Sequence, residues 1–209
     1  MKKIGITQRL VKESKFDETR NALDIRWQEL LISIDLIPIP IPVNVDLHLY
    51  NSFNLDGIIL TGGNDLSSQN DNLLSKVRDK HEIECIKYAL TNSIPLFGVC
   101  RGMQIIAEYY GSSFKKVDNH IAKQHHIKSI NKHEYNKYFD NIKYVNSYHK
   151  YAINELGDEL DLICVCPEDA VIEAIQHKKN KIFGQMWHPE RDDPFDLNNS
   201  KIISSFFRD

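Results

Sequence analysis

The sequence lacks the long apolar runs and the one-sided charge that mark several classes of protein. Its 209 residues contain no stretch near the ~20 consecutive apolar residues that a membrane-spanning helix requires. Lysine and arginine number 26 against 29 aspartate and glutamate residues, so the basic excess of nucleic-acid-binding proteins is missing. No apolar core follows the basic N-terminal residues, which argues against a secretory signal. We therefore expect a cytoplasmic protein whose partners include neither a membrane nor a nucleic acid.

Cysteine is scarce, with four residues in the chain, and in a cytoplasmic protein we expect them to be free thiols. Cys164 and Cys166 lie in an apolar run at a spacing that suits neither a redox motif nor a zinc site. Histidine is more frequent, and four of the nine residues cluster on a polar segment. These four have no regular ligand spacing and no acidic companions, so we predict that the protein holds no metal and no cofactor. They are His120, His125, His126 and His133.

The composition is that of a globular protein, with 42% hydrophobic and 26% charged residues. We find no internal repeat, no low-complexity tract and no linker rich in proline, glycine or serine. The length suits one domain. We therefore predict a single domain over residues 1–209.

The order of the expected elements indicates the fold class. In the first half, expected strands at 4–7, 36–43, 56–61 and 94–99 alternate with expected helices at 18–35, 73–93 and 102–110. Such alternation predicts a parallel sheet covered on both faces. In the second half, expected strands at 126–130, 142–146, 160–166, 170–176 and 182–188 lie close together. We predict an α/β fold of three layers, with a mostly parallel central sheet flanked by helices and a smaller antiparallel extension.

The most informative segment is Gly98-Val99-Cys100-Arg101-Gly102. It has the Gly-x-nucleophile-x-Gly pattern of a strand-to-helix elbow, in which the nucleophile occupies a strained turn between two small residues. The sulfur then lies at the first turn of a helix, where backbone N–H groups and the helix dipole favour the thiolate. We also expect Arg101 to add positive charge there. The alternative is a buried cysteine between two incidental glycines.

A cysteine nucleophile needs a base, and the base needs an orienting partner. His188 ends an apolar segment, and Glu190 follows two residues later, so strand alternation would point both side chains the same way. A carboxylate behind the imidazole holds its tautomer and stabilises the imidazolium. Taken alone, the tripeptide His-Pro-Glu also fits a strand-end histidine beside an exposed glutamate.

Acyl transfer also requires hydrogen-bond donors for a developing oxyanion. The pair Gly62-Gly63 follows a strongly apolar strand, where backbone N–H groups can turn toward the crevice at the sheet edge. We predict the N–H groups of Gly63 and Arg101 as the two donors, with Gly62 beside the substrate. A plain strand-end turn is the alternative for Gly62.

Residues 95–111 followed by 184–190 resemble the class I glutamine amidotransferases, and in particular their stand-alone branch of γ-glutamyl-γ-aminobutyrate hydrolase-like enzymes. The resemblance implies a flavodoxin-like fold and a catalytic triad of Cys100, His188 and Glu190. It also implies an oxyanion hole at Gly63 and Arg101, and γ-glutamyl binding around Gln104. The implied reaction cleaves a γ-glutamyl amide through a γ-glutamyl thioester and releases glutamate and an amine.

A second family motif, Asn-Ser-x-His-His-Gln, helps to hold the glutamyl α-groups in this family. Here Asn146 and Ser147 match the motif and would form a polar clamp, with Tyr148 as a backbone contact. Lys150 and Tyr151 stand where the family has its second His and its Gln.

Residues 18–27 resemble a subgroup linked to capsular phosphoramidate synthesis, which splits γ-glutamyl-CDP-amidate into glutamate and cytidine diphosphoramidate. That substrate implies Arg20 and Arg26 on phosphate, although an ordinary helix surface explains both equally well. Trp27 could stack on the base, but its helical spacing favours the core. Two other functions stay open: hydrolysis of a conjugate like γ-glutamyl-GABA, and a glutaminase subunit that delivers ammonia to a separate synthetase. A non-catalytic binding module should have lost a triad position, and none is lost.

Overall fold

The computed structural model describes residues 1–131 and 134–208, so His133 of the histidine cluster lies outside the described residues. The helices are α1 (Ile25–Ser33), α2 (Leu73–Asn92), α3 (Arg101–Tyr109), α4 (Asn136–Phe139) and α5 (Leu197–Arg208). The strands are β1 (Lys2–Thr7), β2 (Arg9–Lys12), β3 (Thr19–Ala22), β4 (Leu36–Ile41), β5 (Gly57–Leu60), β6 (Leu96–Val99), β7 (Ser113–Lys116), β8 (Ile121–His125), β9 (Lys128–Ser129), β10 (Val145–Tyr148), β11 (Tyr151–Glu155), β12 (Leu160–Val165), β13 (Ile172–His177) and β14 (Ile182–Gln185).

Eight strands form the central sheet, in the spatial order β4-β1-β5-β6-β14-β13-β12-β9. The first five run parallel, and β13, β12 and β9 continue the sheet in antiparallel pairing. Three two-stranded ribbons, β2–β3, β7–β11 and β8–β10, lie outside it. This is the mostly parallel sheet with an antiparallel extension that the sequence predicts.

The central strands are buried along their whole length, as expected for parallel strands with helices on both faces. All four residues of β5, of β6 and of β14 are buried. Phe206 and Phe207 of α5 pack on Phe97 of β6, with ring centroids 5.2 and 6.3 Å away. One large hydrophobic cluster runs through these layers. The single domain over residues 1–209 stays a prediction.

The expected helix over residues 18–35 is wrong in its first third. Thr19–Ala22 forms β3, which pairs antiparallel with β2, and the helix begins only at Ile25. Asp24 caps it by accepting the N–H of Arg26 at 3.0 Å.

The strand expected at 142–146 is shifted and runs over Val145–Tyr148, because it pairs with β8. Within the described residues, no helix combines the length and apolarity that a membrane crossing needs.

Candidate active site

Cys100 lies in the sharp turn between β6 and α3. Its backbone has φ 53° and ψ −107°, a strained conformation for a residue with a side chain. Its N–H donates to the carbonyl of Gln185 on β14 at 2.8 Å, and its carbonyl accepts the N–H of Gln104 at 3.0 Å. These two bonds tie the strained turn to the sheet and to the helix, so the geometry is that of the predicted elbow.

The two glycines that flank Cys100 are required by close backbone approach. A Cβ atom at Gly98 would lie 2.6 Å from the carbonyl carbon of Gly102, and one at Gly102 would lie 2.0 Å from the carbonyl oxygen of Leu60. Any side chain at either position would push α3 off the sheet. The small residues expected on both sides of the nucleophile therefore have a direct steric reason.

His188 and Glu190 form a buried pair, with Nδ1 of the imidazole 2.7 Å from Oε1 of the carboxylate. The expected pairing is present, but strand alternation is not its cause. β14 ends at Gln185, and Pro189–Arg191 forms a single 3-10 turn that brings the carboxylate back beneath the ring. With Nδ1 held by Glu190, Nε2 is the ring nitrogen left for chemistry.

Cys100 and His188 lie side by side across Gly62. A Cβ atom at Gly62 would lie 2.6 Å from Cε1 of His188 and 3.6 Å from Cβ of Cys100. Burial alone would lower the pKa of His188. The negative charges of Cys100 and Glu190, together with hydrogen bonds to both, outweigh burial and raise the pKa of His188 to about 10. The site therefore favours the protonated imidazolium form of His188 beside Cys100.

Asn146 holds the backbone of His188 in place from the neighbouring ribbon. Its Oδ1 accepts the N–H of His188 at 2.9 Å, and its Nδ2 donates to the His188 carbonyl at 2.8 Å and to Asp192 at 3.0 Å. Asp192 is fixed in turn by Asn199, also at 3.0 Å. The amide of Asn146 is thus engaged with His188 rather than aimed at a substrate. Sequence reasoning missed Asp192, because nothing in the local spacing distinguishes it from a solvated loop residue.

The turn after β5 is anchored by a buried arginine. Arg78 of α2 donates to the carbonyls of Thr61 at 2.7 Å and Gly62 at 3.0 Å. In a trans peptide the N–H points away from the preceding C=O, so the N–H of Gly63 points away from Arg78. Gly63 also has φ 96°, which a residue with a side chain rarely adopts. The role of the Gly63 N–H as an oxyanion donor stays a prediction.

The guanidinium of Arg101 points into the protein, where it pairs with Asp79 and Glu82 of α2. Glu82 also pairs with Arg78 at 3.0 Å and accepts the Thr7 hydroxyl at 2.9 Å. Asp79 and Glu82 therefore balance the positive charge of Arg101, which was expected from the sequence to favour the Cys100 thiolate. The backbone N–H of Arg101 remains available for its predicted role, since it lies in the first turn of α3. The sequence did not indicate this cluster, because charges on a helix usually face water.

A cavity of about 470 Å³ opens at Cys100. Besides Cys100, its lining includes five residues that the sequence singled out: Gly63, Arg101, Gln104, Tyr148 and His188. Gln104 donates to the carbonyl of Tyr151 at 2.9 Å, and the Tyr148 ring stands edge-on to His188 with centroids 5.9 Å apart. The lining also includes polar residues that were not predicted as substrate contacts: Asp65, Gln69, Lys150, Tyr151 and Arg191.

Besides Gly62 and Asn146, three further predicted substrate contacts are absent from this lining. Arg20 pairs with Glu13 and Glu18 on the exposed β2–β3 ribbon. Arg26 pairs with Glu29 at 2.8 Å and donates to the carbonyl of Asp192 at 2.7 Å. Ser147 is buried and donates to the carbonyl of His120 at 2.9 Å. Their contact with substrate stays a prediction, which the geometry does not support.

The raised pKa of His188 predicts the pH dependence of turnover. For the γ-glutamyl amide that the sequence resemblance implies, we expect kcat/KM to stay high to about pH 9 and to fall as the pH approaches 10, because in that reaction the imidazolium protonates the leaving nitrogen. Glu190→Gln removes one of the charges that raise this pKa, so the alkaline limb should move to lower pH. Asp193→Asn, at an exposed neighbouring carboxylate, should leave the limb unchanged. An alkaline limb at the same pH in wild type and Glu190→Gln would contradict this assignment.

Comparisons with known proteins agree with this geometry. A family model described as Peptidase C26 matches residues 3–190. Gamma-glutamyl-CDP-amidate hydrolase of Campylobacter jejuni is 39% identical over 208 residues, covering 98% of this chain and 96% of that one. The glutamine-hydrolyzing GMP synthase of Methanococcus aeolicus has a subunit that is 28% identical over 154 residues, covering 73% of this chain and 72% of that one.

A solved structure with the same fold also comes from a candidate GMP synthase subunit. The crystal structure of a candidate GMP synthase subunit from Thermoplasma acidophilum superposes with a TM-score of 0.73 at 19% identity, covering 99% of this chain and 92% of that one. The predicted fold class and family resemblance are confirmed. The chain therefore belongs to the Peptidase C26 family of class I glutamine amidotransferase-like proteins and is a hydrolase of C–N amide bonds.

Proposed function

We propose that the chain hydrolyses γ-glutamyl-CDP-amidate to glutamate and cytidine diphosphoramidate, with Cys100 as the nucleophile. The observation that carries this substrate is the 39% identity to the Campylobacter jejuni hydrolase over nearly the whole of both chains. The sequence resemblance to the capsular phosphoramidate subgroup connects the product to capsule modification.

The geometry supports a two-step mechanism. The Cys100 thiolate attacks the γ-carbonyl carbon, a C–S bond forms, and the oxygen takes the electron pair. The N–H groups of Gly63 and Arg101 stabilise that oxyanion. As the C–N bond breaks, Nε2 of His188 protonates the leaving nitrogen, while Glu190 on Nδ1 keeps the ring oriented. His188 then deprotonates a water that attacks the thioester, which releases glutamate and restores the thiolate.

The rim of the cavity suits an anionic leaving group that carries a base. Lys150 and Arg191 are exposed lining residues, and the Arg191 guanidinium stacks 4.4 Å over the Tyr148 ring. Guanidinium and ammonium groups bind diphosphate oxygens, and an exposed tyrosine offers a face for stacking a pyrimidine. We therefore assign phosphate binding to Lys150 and Arg191, in place of Arg20 and Arg26.

The test compares three substrates by the glutamate they release: γ-glutamyl-CDP-amidate, γ-glutamyl-GABA and glutamine. We expect the nucleotide amidate to have the highest kcat/KM. Lys150→Gln and Arg191→Gln should each raise its KM roughly tenfold, the loss of one charge-assisted contact, while KM for glutamine changes little. Lys80→Gln, at an exposed lysine of α2 outside this cavity, is the matched control. Faster turnover of γ-glutamyl-GABA or glutamine would reject the nucleotide substrate.

A second candidate is a glutaminase that supplies ammonia to a separate synthetase. The similarity to a GMP synthase subunit favours it. It predicts weak glutaminase activity of the purified chain and strong activation by the synthetase partner. Efficient hydrolysis of the nucleotide amidate by the chain alone would exclude it.

A further inference from the structure

Three histidines and a glutamate converge in a buried cluster apart from Cys100. His120 precedes β8, His125 ends it, His149 follows β10, and Glu173 lies on β13. Each of the four residues is at most 9% exposed. One donor atom from each lies within 4.8 Å of the other three. The cluster joins the β8–β10 ribbon to the antiparallel part of the central sheet.

The rings of His125 and His149 each turn Nε2, a ring nitrogen without a hydrogen-bond partner in the described part of the chain, toward the centre of this cluster. Nδ1 of His125 lies 2.8 Å from the carbonyl of His126, and Nδ1 of His149 lies 3.1 Å from the carbonyl of Tyr151. A carbonyl can only accept, so Nδ1 carries the proton in both rings and Nε2 of the neutral ring carries a lone pair. Both Nε2 atoms are buried, and neither has a hydrogen-bond partner among the described residues.

The third ring is oriented in the same way through its other nitrogen. Nε2 of His120 lies 2.8 Å from a carboxylate oxygen of Asp169 and donates to it. Nδ1 then has the lone pair. The hydroxyl of Ser147 is 3.2 Å from Nδ1, but its proton is already donated to the His120 carbonyl at 2.9 Å. In their neutral form, all three rings thus turn a lone pair inward and donate outward, as metal-ligating histidines do.

Glu173 completes the cluster. Its two oxygens are buried, and within residues 1–131 and 134–208 neither has a hydrogen-bond partner. Oε1 lies 3.3 Å from Nε2 of His125 and 3.6 Å from both Nε2 of His149 and Nδ1 of His120. These separations exceed the 2.7–2.9 Å of charge-assisted hydrogen bonds. They approach the edge of a tetrahedron around zinc, about 3.3–3.4 Å for bonds of 2.0–2.1 Å.

We propose that His120 Nδ1, His125 Nε2, His149 Nε2 and Glu173 Oε1 bind a structural Zn²⁺ ion. The lone pairs of the three neutral rings and the charge of the buried Glu173 carboxylate repel one another. A cation at their centre satisfies all four donor atoms at once. Three imidazole nitrogens and one carboxylate oxygen suit zinc, and four protein ligands make a closed, structural site. The ion fixes the ribbon that carries Asn146 and Tyr148 next to His188. The histidine segment has no acidic residue at ligand spacing in the sequence, and Glu173 of β13 supplies one from a distant part of the chain.

The test uses the Cys100→Ser chain, because the wild-type thiolate could bind zinc itself. After loading with Zn²⁺ and dialysis, mass spectrometry should find about one zinc per chain, and Co²⁺ should give the intense visible absorption of tetrahedral coordination. In the same background, His125→Ala and Glu173→Gln should weaken zinc binding by at least about 100-fold. His126→Ala, at the exposed neighbouring histidine, should leave the affinity unchanged.

A melting experiment tests zinc binding without any substitution in the cluster. Dipicolinate should lower the Tm of the Cys100→Ser chain, and added Zn²⁺ should restore it, because a ligand bound to the native state alone stabilises that state. A folded chain that takes up no zinc overturns the proposal and leaves a cluster of protonated imidazoles around Glu173. Zinc bound with equal affinity in Glu173→Gln and His125→Ala places the ion elsewhere and also overturns it.

Discussion

Cys100→Ala is expected to lower kcat at least about 10⁴-fold while the protein keeps its fold and stability. Without the sulfur no thioester forms, and the oxyanion donors and His188 have no bound nucleophile to assist. The strain at φ 53° is the same for alanine as for cysteine, so the unfolding free energy should change by less than about 1 kcal/mol. Glutamate release measures the first effect, and a urea unfolding curve measures the second.

Cys85 provides the matched control for this experiment. It is fully buried in α2, and burial raises the pKa of its thiol well above the ordinary value, so it stays protonated and unreactive. Cys85→Ala should keep kcat while losing stability to a small cavity. Mass spectrometry during turnover should find the γ-glutamyl adduct on Cys100. Substantial turnover by Cys100→Ala would refute the mechanism.

Glu82→Gln is expected to destabilise the protein by about 3–5 kcal/mol, a large fraction of the stability of a domain of this size. Glu82 is fully buried between Arg78 and Arg101, whose side chains are at most 2% exposed. When Glu82 loses its charge, Asp79 is left to balance the two desolvated guanidinium groups of Arg78 and Arg101. Burial by itself would raise the pKa of Glu82, but the two arginines and the Thr7 hydroxyl hold it below the ordinary value.

The sign of the pH dependence follows from that lowered pKa. The stabilisation from Glu82 is complete above the carboxyl's unfolded pKa of about 4.3 and is lost as the pH falls through the lower folded value. The difference in unfolding free energy between wild type and Glu82→Gln should therefore be full at pH 7 and should narrow as the pH falls below about 4.3. Glu84→Gln, at an exposed glutamate of the same helix, is the control and should change stability by less than about 0.5 kcal/mol. Equal stability of the two variants would contradict the prediction.

The sequence by itself determined the parts of this protein that depend on local backbone physics. Gly98 and Gly102 around Cys100 indicate an elbow because no side chain fits where α3 crosses β5. Short apolar strands that alternate with helices indicate a parallel sheet. The short loop from His188 to Glu190 limits how far apart the two side chains can lie, so their pairing was predictable although its 3-10 geometry was not.

Tertiary structure alone decided which distant side chains meet. Asn146 holds His188 because the β8–β10 ribbon lies against the end of β14. Glu173 faces three histidines because β13 passes beneath that ribbon. Lys150 lines the cavity while Arg20 pairs with its own ribbon. Periodicity and motif spacing describe neighbours along the chain, whereas these contacts depend on how whole elements pack, which no local pattern encodes.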